Sequence, residues 1–145
     1  GFVSAMVARI PLCRDPPYLP TRDAQSEMKE KLPMAHYLIE LYSPNAKWEA
    51  LPAEERRQFI DNIQLAMGNL SHLGVDVLAL GETDSTVDKP TEHRFLGIWR
   101  FADIQTRDRL LAGIKASGWY NYFDHVNAAG SAAGFETHLA TLAAG

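Results

Sequence analysis

From residue 35 onward, the chain switches between two hydrophobic patterns, one typical of strands and one typical of helices. Four short apolar runs predict strands at 35–42, 75–80, 93–101 and 119–127. After the first and the third of these, apolar residues recur every three or four positions, which is the spacing of a helix with one buried face. The stretch 135–144 predicts a short final helix. The predicted order is therefore β-α-β-β-α-β followed by a helix, the split βαβ arrangement.

The ends of the two long helices also have sequence signals. Pro52 suits the first turn of the first helix, and Gly74 suits the position just after its end. Asp103 is a typical N-cap for the second helix, and Gly118 ends it. The small residues at 128–134 predict a flexible link to the final helix.

Residues 1–33 differ from the rest of the chain. They contain five of the eight prolines, and proline breaks regular structure. We interpret 1–33 as a proline-rich N-terminal arm attached to an α+β domain that spans 34–145. In the alternative, the natural chain begins at Met34 and the arm is a cloning addition or the product of a misassigned start.

The predicted strands are apolar on both sides. In the first strand, Ile39 and Leu41 face one side while Leu38 and Tyr42 face the other. In the second strand, alternation places Val75, Val77 and Ala79 on one side of the sheet and Leu78 and Leu80 on the other. Two helices can cover only one side of such a sheet, and monomers rarely expose large apolar patches. We therefore expect a homodimer through the sheet face; the alternative is that the arm and the final helix cover it.

Composition and charge narrow the classes of function. The 145 residues carry a net charge of −4 and no dense cluster of Lys and Arg, so we expect no nucleic-acid partner. The single cysteine, Cys13, excludes an internal disulfide and a cysteine-based zinc site, and it fits a reducing cytosol. No segment is long and apolar enough to span a bilayer. The sequence thus predicts a cytoplasmic protein without a membrane partner.

Three segments carry a resemblance to known proteins: HYLIELY at 36–42, WEALPAEE at 48–55 and GWYNYFDHVN at 118–127. They resemble a family of short bacterial and fungal proteins of unknown function. Over about 34–143, the chain also resembles the dimeric α+β-barrel superfamily. Its members include antibiotic-biosynthesis-type monooxygenases, muconolactone isomerase-like proteins, and haem-degrading and chlorite-dismutase-like proteins. The resemblance implies a ferredoxin-like antiparallel four-stranded sheet that faces a second copy, with a small-molecule cleft between sheet and helices. Because unrelated chemistries share this scaffold, the resemblance transfers no activity.

Polar and aromatic side chains concentrate around the fourth predicted strand. Alternation places Trp119, His125 and Asn127 on one side of that strand and Tyr122 on the other. The candidate ligand-binding residues are His36, Tyr42, Trp99, Trp119, Tyr122 and Asn127, and the candidate catalytic pair is Glu40 and His125. Aromatic walls with few polar groups suit an apolar or aromatic ligand. A buried Glu40 would have a raised pKa and could act as a base, with the His–Glu pair moving a proton.

Three functions remain open at this point. The first is binding of a small apolar or aromatic compound, with cofactor-independent monooxygenation or isomerisation of it. The second is a non-catalytic structural or regulatory dimer module, in which the aromatic cluster belongs to the core. The third is haem binding. The five histidines form no H-x-H or H-x-x-x-H pair, and we predict neither a metal site nor a cofactor.

Overall fold

The computed structural model describes residues 35–68 and 70–145, so the predicted arm lies outside the described residues. The strands are β1 (His36–Pro44), β2 (Val75–Glu82), β3 (Phe95–Phe101) and β4 (Phe123–Ser131). The helices are α1 (Ala46–Ala50), α2 (Ala53–Met67), α3 (Ile104–Ala116), α4 (Trp119–Tyr122) and α5 (Phe135–Ala144), and a 3-10 turn at Leu70–Leu73 precedes β2. None of the helices in these two stretches is long and apolar enough to cross a membrane.

The four strands form one antiparallel sheet in the order β2-β3-β1-β4. β1 is therefore central, with β3 on one side and β4 on the other. In this register Glu40 lies opposite Gly97 of β3 and Asn127 of β4. The arrangement confirms the predicted ferredoxin-like α+β fold with an antiparallel four-stranded sheet and a short C-terminal helix.

The two faces of the sheet differ in burial. The face that α2 and α3 cover, here called the inner face, carries the core strand residues Leu38, Val75, Trp99, Phe101 and Phe123, each at most 6% exposed. The opposite face, here called the outer face, carries the apolar residues Ile39, Leu41, Leu96, Ile98 and Val126. Ile39 and Val126 on that face are 43% and 53% exposed. The described residues thus leave one apolar face of the sheet uncovered.

β2 departs from simple alternation. Val77 and Ala79 are two residues apart, yet they pair with neighbouring residues of β3, which marks a register shift of the β-bulge kind. The extra residue reverses the side on which the following side chains lie. Ala79 therefore lies on the outer face and Leu80 on the inner face. The predicted grouping of Ala79 with Val75 and Val77 is wrong for this reason.

The segment after α3 also differs from its prediction. Gly118 adopts a left-handed backbone with φ of 85°, which ends α3 and redirects the chain into the single helical turn Trp119–Tyr122. The predicted strand therefore begins only at Phe123. It then continues to Ser131, because backbone hydrogen bonds to β1 hold residues 128–130 in the sheet despite their small side chains. The prediction of a flexible link over 128–134 is wrong for its first half.

Candidate functional site

A cavity of about 340 Å³ lies between the inner face of the sheet and helices α2 and α3. Its volume falls within the range of about 300–1,000 Å³ that is typical of small-molecule sites. Apolar side chains form most of its wall, including Ile60, Ile63 and Met67 of α2 and Leu110 and Ile114 of α3. No residue of α2 is fully buried, because the side chains that point toward the sheet end at the cavity.

Glu40 places a carboxyl group in this apolar wall. The residue is only 4% exposed, and its Oε2 accepts a hydrogen bond of 2.9 Å from the indole Nε1 of Trp99. Its Oε1 is buried and has no hydrogen-bond partner among the described residues. Burial raises the pKa of Glu40 above its ordinary value of 4.5, and the hydrogen bond from Trp99 opposes part of that rise.

Gly97 makes the contact between Glu40 and Trp99 possible. A Cβ atom at this position would lie 3.0 Å from Glu40 Oε2, 3.1 Å from Trp99 Nε1 and 3.1 Å from Leu80 Cδ2. All three distances are shorter than an ordinary contact, so any side chain here would push the carboxylate and the indole apart. Glycine within a strand often marks such a close approach.

His125 is hydrogen-bonded to Trp119 and Asn127, and it lies close to Glu40. Its Nδ1 accepts a hydrogen bond of 3.1 Å from Trp119 Nε1. Because an indole nitrogen can only donate, Nδ1 carries no proton, and the ring is the neutral tautomer with its proton on Nε2. That Nε2–H donates to Asn127 Oδ1 at 2.7 Å. The Nε2 atom also lies 3.7 Å from Glu40 Oε1, so the neutral ring faces the unpartnered oxygen.

Tyr42 joins the histidine network to the cavity wall. Its ring stacks on the His125 ring at a centroid distance of 5.6 Å and meets the Trp119 ring edge-on at 5.3 Å. Burial, and to a lesser extent the charge of Glu40, raise the pKa of the Tyr42 hydroxyl. The phenol therefore remains neutral at physiological pH.

Six of the eight candidate residues come together, although not all of them reach the cavity. Glu40, Tyr42, Trp99 and Trp119 line it. His125 and Asn127 lie behind this wall and contact the lining residues rather than the cavity.

The other two candidates, His36 and Tyr122, do not line the cavity, contrary to the prediction. His36 is on the correct face of β1, but it lies four residues from Glu40, which is about 13 Å along a strand. Tyr122 packs on Phe59 and Trp48 at ring distances of 5.1 and 5.7 Å, because it belongs to the turn α4 and not to a strand.

The site also contains residues that were not predicted from the sequence, among them Gly97 and Arg109. Gly97 is the one small residue in the otherwise bulky strand FLGIWRF, which was the available signal. Arg109 lines the cavity from α3. It lies on the same helix face as Thr106 and Gly113, and helical spacing could have placed it there.

Comparison with known proteins agrees with the fold. Residues 35–145 match a family model described as a family of unknown function, DUF6616. The chain belongs to this family. No curated protein matches the chain. The earlier resemblance to a family of unknown function is thereby confirmed.

Solved structures of chlorite dismutase from Candidatus Nitrospira defluvii are similar to this DUF6616 chain. One mutant of that protein has a TM-score of 0.59 at 15% identity, over 89% of this chain and 55% of that chain. Its complex with imidazole has a TM-score of 0.56 at 17% identity, over 90% of this chain and 56% of that chain. The DUF6616 chain thus spans about half the length of these structures. The similarity confirms the ferredoxin-like fold of the α+β-barrel kind.

Proposed function

We propose that this protein binds a small, largely apolar or aromatic molecule in the cavity and that Glu40 exchanges a proton with it. The observation that carries the proposal is the Glu40 carboxyl, whose Oε1 is buried beside an apolar cavity without a partner in the described residues. A buried polar atom without a hydrogen bond costs about 1–3 kcal/mol. A bound molecule that offers a hydrogen bond to Oε1 would remove this cost.

The raised pKa of Glu40 suits proton transfer in both directions, since an acid–base group works best when its pKa lies near the working pH. In an isomerisation, the carboxylate takes a proton from one carbon of the ligand and returns it to another, so the reaction balances without a co-reactant. Monooxygenation begins with the same proton removal, but it also needs dioxygen and electrons from the ligand. We therefore favour isomerisation.

In this proposal the neighbouring side chains support Glu40. Tyr42, Trp99 and Trp119 form an aromatic wall against which a flat ligand can pack. His125 does not reach the cavity, and it acts as a positioning residue that faces Glu40 Oε1 at 3.7 Å.

Haem does not fit this site. Both ring nitrogens of His125 are engaged, one with Trp119 and the other with Asn127. Neither is therefore available as an axial ligand. Within residues 35–68 and 70–145, no three His, Cys, Asp or Glu side chains gather in a way that could hold a metal ion. No step of the proposed reaction involves haem.

The exposed outer face favours a second proposal, that the protein forms a homodimer through this face. The apolar side chains of β1, β3 and β4 are neighbours there, since Ile39 pairs with Ile98 and Leu41 pairs with Leu96 and Val126. A second copy would present the same apolar surface about a two-fold axis. If the protein were a non-catalytic dimer module, this face would be its functional surface.

A cytoplasmic location stays a prediction, supported by the low cysteine content.

The catalytic proposal is tested with phenylacetone, an aromatic ketone with acidic protons next to its carbonyl group. We expect the protein to accelerate exchange of these protons with D₂O, followed by NMR. Glu40→Gln keeps the shape of the side chain but cannot accept a proton, so exchange should fall about 10²–10⁴-fold.

The control for this experiment is Glu82→Gln, which changes an exposed glutamate of β2 and should leave the rate unchanged. The proposal fails if the wild-type protein does not exceed the buffer rate, or if Glu40→Gln exchanges as fast as the wild type.

A further inference from the structure

One cation lies at the edge of the apolar cavity. Arg109 is exposed and is the only positively charged residue among the described residues that line the cavity. Three other arginines among the described residues form ion pairs, including Arg100 with Asp76 at 3.0 Å and Arg107 with Asp108 at 3.1 Å. Within the described part of the chain, Arg109 has no acidic group within 4.0 Å.

Asp103 is an acidic residue whose charge interacts with that of Arg109, and one of its carboxylate oxygens is already engaged. Its Oδ1 accepts hydrogen bonds from both the backbone N–H and the hydroxyl of Thr106, each at 2.7 Å. These bonds are the main reason why the pKa of Asp103 is lowered, and the charge of Arg109 contributes less. The guanidinium of Arg109 is therefore free to bind a further anion.

A gap in the surface of α3 lies one helical turn after Arg109. Gly113 follows Arg109 by four residues and is thus its neighbour on the same side of α3. A Cβ atom at Gly113 would meet nothing within 4 Å, and Gly113 also lines the cavity. A molecule can therefore lie partly in the cavity and reach Arg109 at its edge.

We propose that the ligand is an amphipathic anion, with an apolar or aromatic body inside the cavity and a carboxylate or similar acidic group at Arg109. This inference rests on the proposed function and names the chemical class of its ligand. The cavity wall offers such a molecule two different polar groups, Glu40 and Arg109. Glu40 lies in an apolar wall that disfavours charge, so the uncharged end of the ligand lies there. The guanidinium of Arg109 matches the geometry of a carboxylate with two parallel hydrogen bonds.

The ligand class is tested by calorimetric titration of the full chain with three probes of nearly equal size: 3-phenylpropanoate, its neutral amide, and the cation 3-phenylpropylamine. The wild-type protein should bind the anion about tenfold more tightly than the amide, as expected for one partly exposed charge-assisted contact. The amine should bind least tightly, because Arg109 repels it.

Two arginine variants separate the role of Arg109 from general charge effects. Arg109→Gln should bind the anion no better than the amide, with affinity for the amide unchanged. Arg107→Gln is the matched control, since Arg107 lies on the same helix but does not line the cavity; it should behave like the wild type. Equal binding of anion and amide by the wild type, or no effect of Arg109→Gln, would overturn the inference while leaving the proposed function intact.

A third variant shows whether the anion occupies the cavity. Gly113→Leu fills the gap beside Arg109 and should weaken binding of the anion and the amide by at least about tenfold. Undiminished binding of the anion to Gly113→Leu would place it on the surface and overturn the inference. If none of the three probes binds the wild type, the proposed function itself fails.

Discussion

Glu40 is an acid in surroundings that oppose its charge. Folding moves its carboxyl from water into an apolar wall, and one oxygen gains the hydrogen bond from Trp99 while the other gains none. The native state therefore holds the proton more tightly than the unfolded state, whose pKa is near the ordinary value of 4.5. The contribution of Glu40 to stability is fully present below that pH and is lost as the pH rises through the higher pKa of the folded state.

Glu40→Gln should remove this pH dependence, because an amide stays neutral at every pH. We expect the variant to match the wild type near pH 4 and to exceed its free energy of unfolding at pH 7 by about 1–3 kcal/mol. Urea unfolding at a series of pH values measures the difference. Glu82→Gln, which changes an exposed acid, is the control and should follow the wild-type profile. A wild type that is the more stable protein at pH 7 would contradict this account of Glu40.

The sequence was sufficient to find Glu40, because one acid in an apolar strand stands out once the faces are assigned by alternation. It was not sufficient for His36, which shares the face but lies too far along the strand. The role of Gly97 depends on which side chains meet it from its own strand and from β1 and β2. Helical spacing gives the side of α3 on which Arg109 lies, but not how far α2 lies from α3. That distance decides whether a cavity opens beside Arg109.

At the scale of secondary structure, Gly118 determines where the aromatic cluster begins. Its left-handed backbone turns the chain from α3 into α4, and this places the Trp119 indole within reach of His125. Gly113 lies five residues earlier, inside α3, where glycine has no such conformational role. The two positions therefore allow a matched comparison.

Gly118→Ala should destabilise the protein by about 1–2 kcal/mol, because an alanine in the left-handed region is strained. Gly113→Ala should stabilise it by about 0.5–1 kcal/mol, because alanine favours the helix interior and its Cβ meets nothing within 4 Å. Chemical denaturation of both variants measures the two effects. A Gly118→Ala variant that is as stable as the wild type would show that the backbone at Gly118 does not require glycine.

The elements that were predicted best have uninterrupted patterns, such as the apolar run of β1 and the helical spacing of α2. The latter helix nevertheless ends at Met67, before the predicted stop at Gly74. The errors lie where a local event interrupts the pattern. A single extra residue in β2 reverses the sides of Ala79 and Leu80, and hydrophobicity alone does not reveal it. The aromatic residues 119–122 have a high strand propensity, but the turn at Gly118 overrides it.

At the scale of the whole molecule, the apolar outer face of the sheet is the reason to expect a homodimer. Ile39 lies on the central strand of that face and is 43% exposed. Ile39→Lys would place a charge in the proposed interface twice, once from each copy, and like charges that face each other cost several kcal/mol. We expect the wild type to be a dimer and Ile39→Lys to associate at least about 100-fold more weakly.

Native mass spectrometry and sedimentation over a range of concentrations measure this association. Leu65→Lys is the control, since Leu65 is 80% exposed on α2, on the opposite side of the sheet, and should leave the dimer intact. A wild type that stays monomeric throughout would mean that the outer face is not an interface between copies.

Gly97 and Glu40 occupy what is in effect a single space, shared across two strands. An enlarged residue 97 would press on the carboxylate, whereas a shortened residue 40 would leave a hole beside a glycine that Trp99 and Leu80 still border. Neither position can drift alone during evolution without a penalty. We therefore expect a member of DUF6616 that keeps the acid also to keep the glycine.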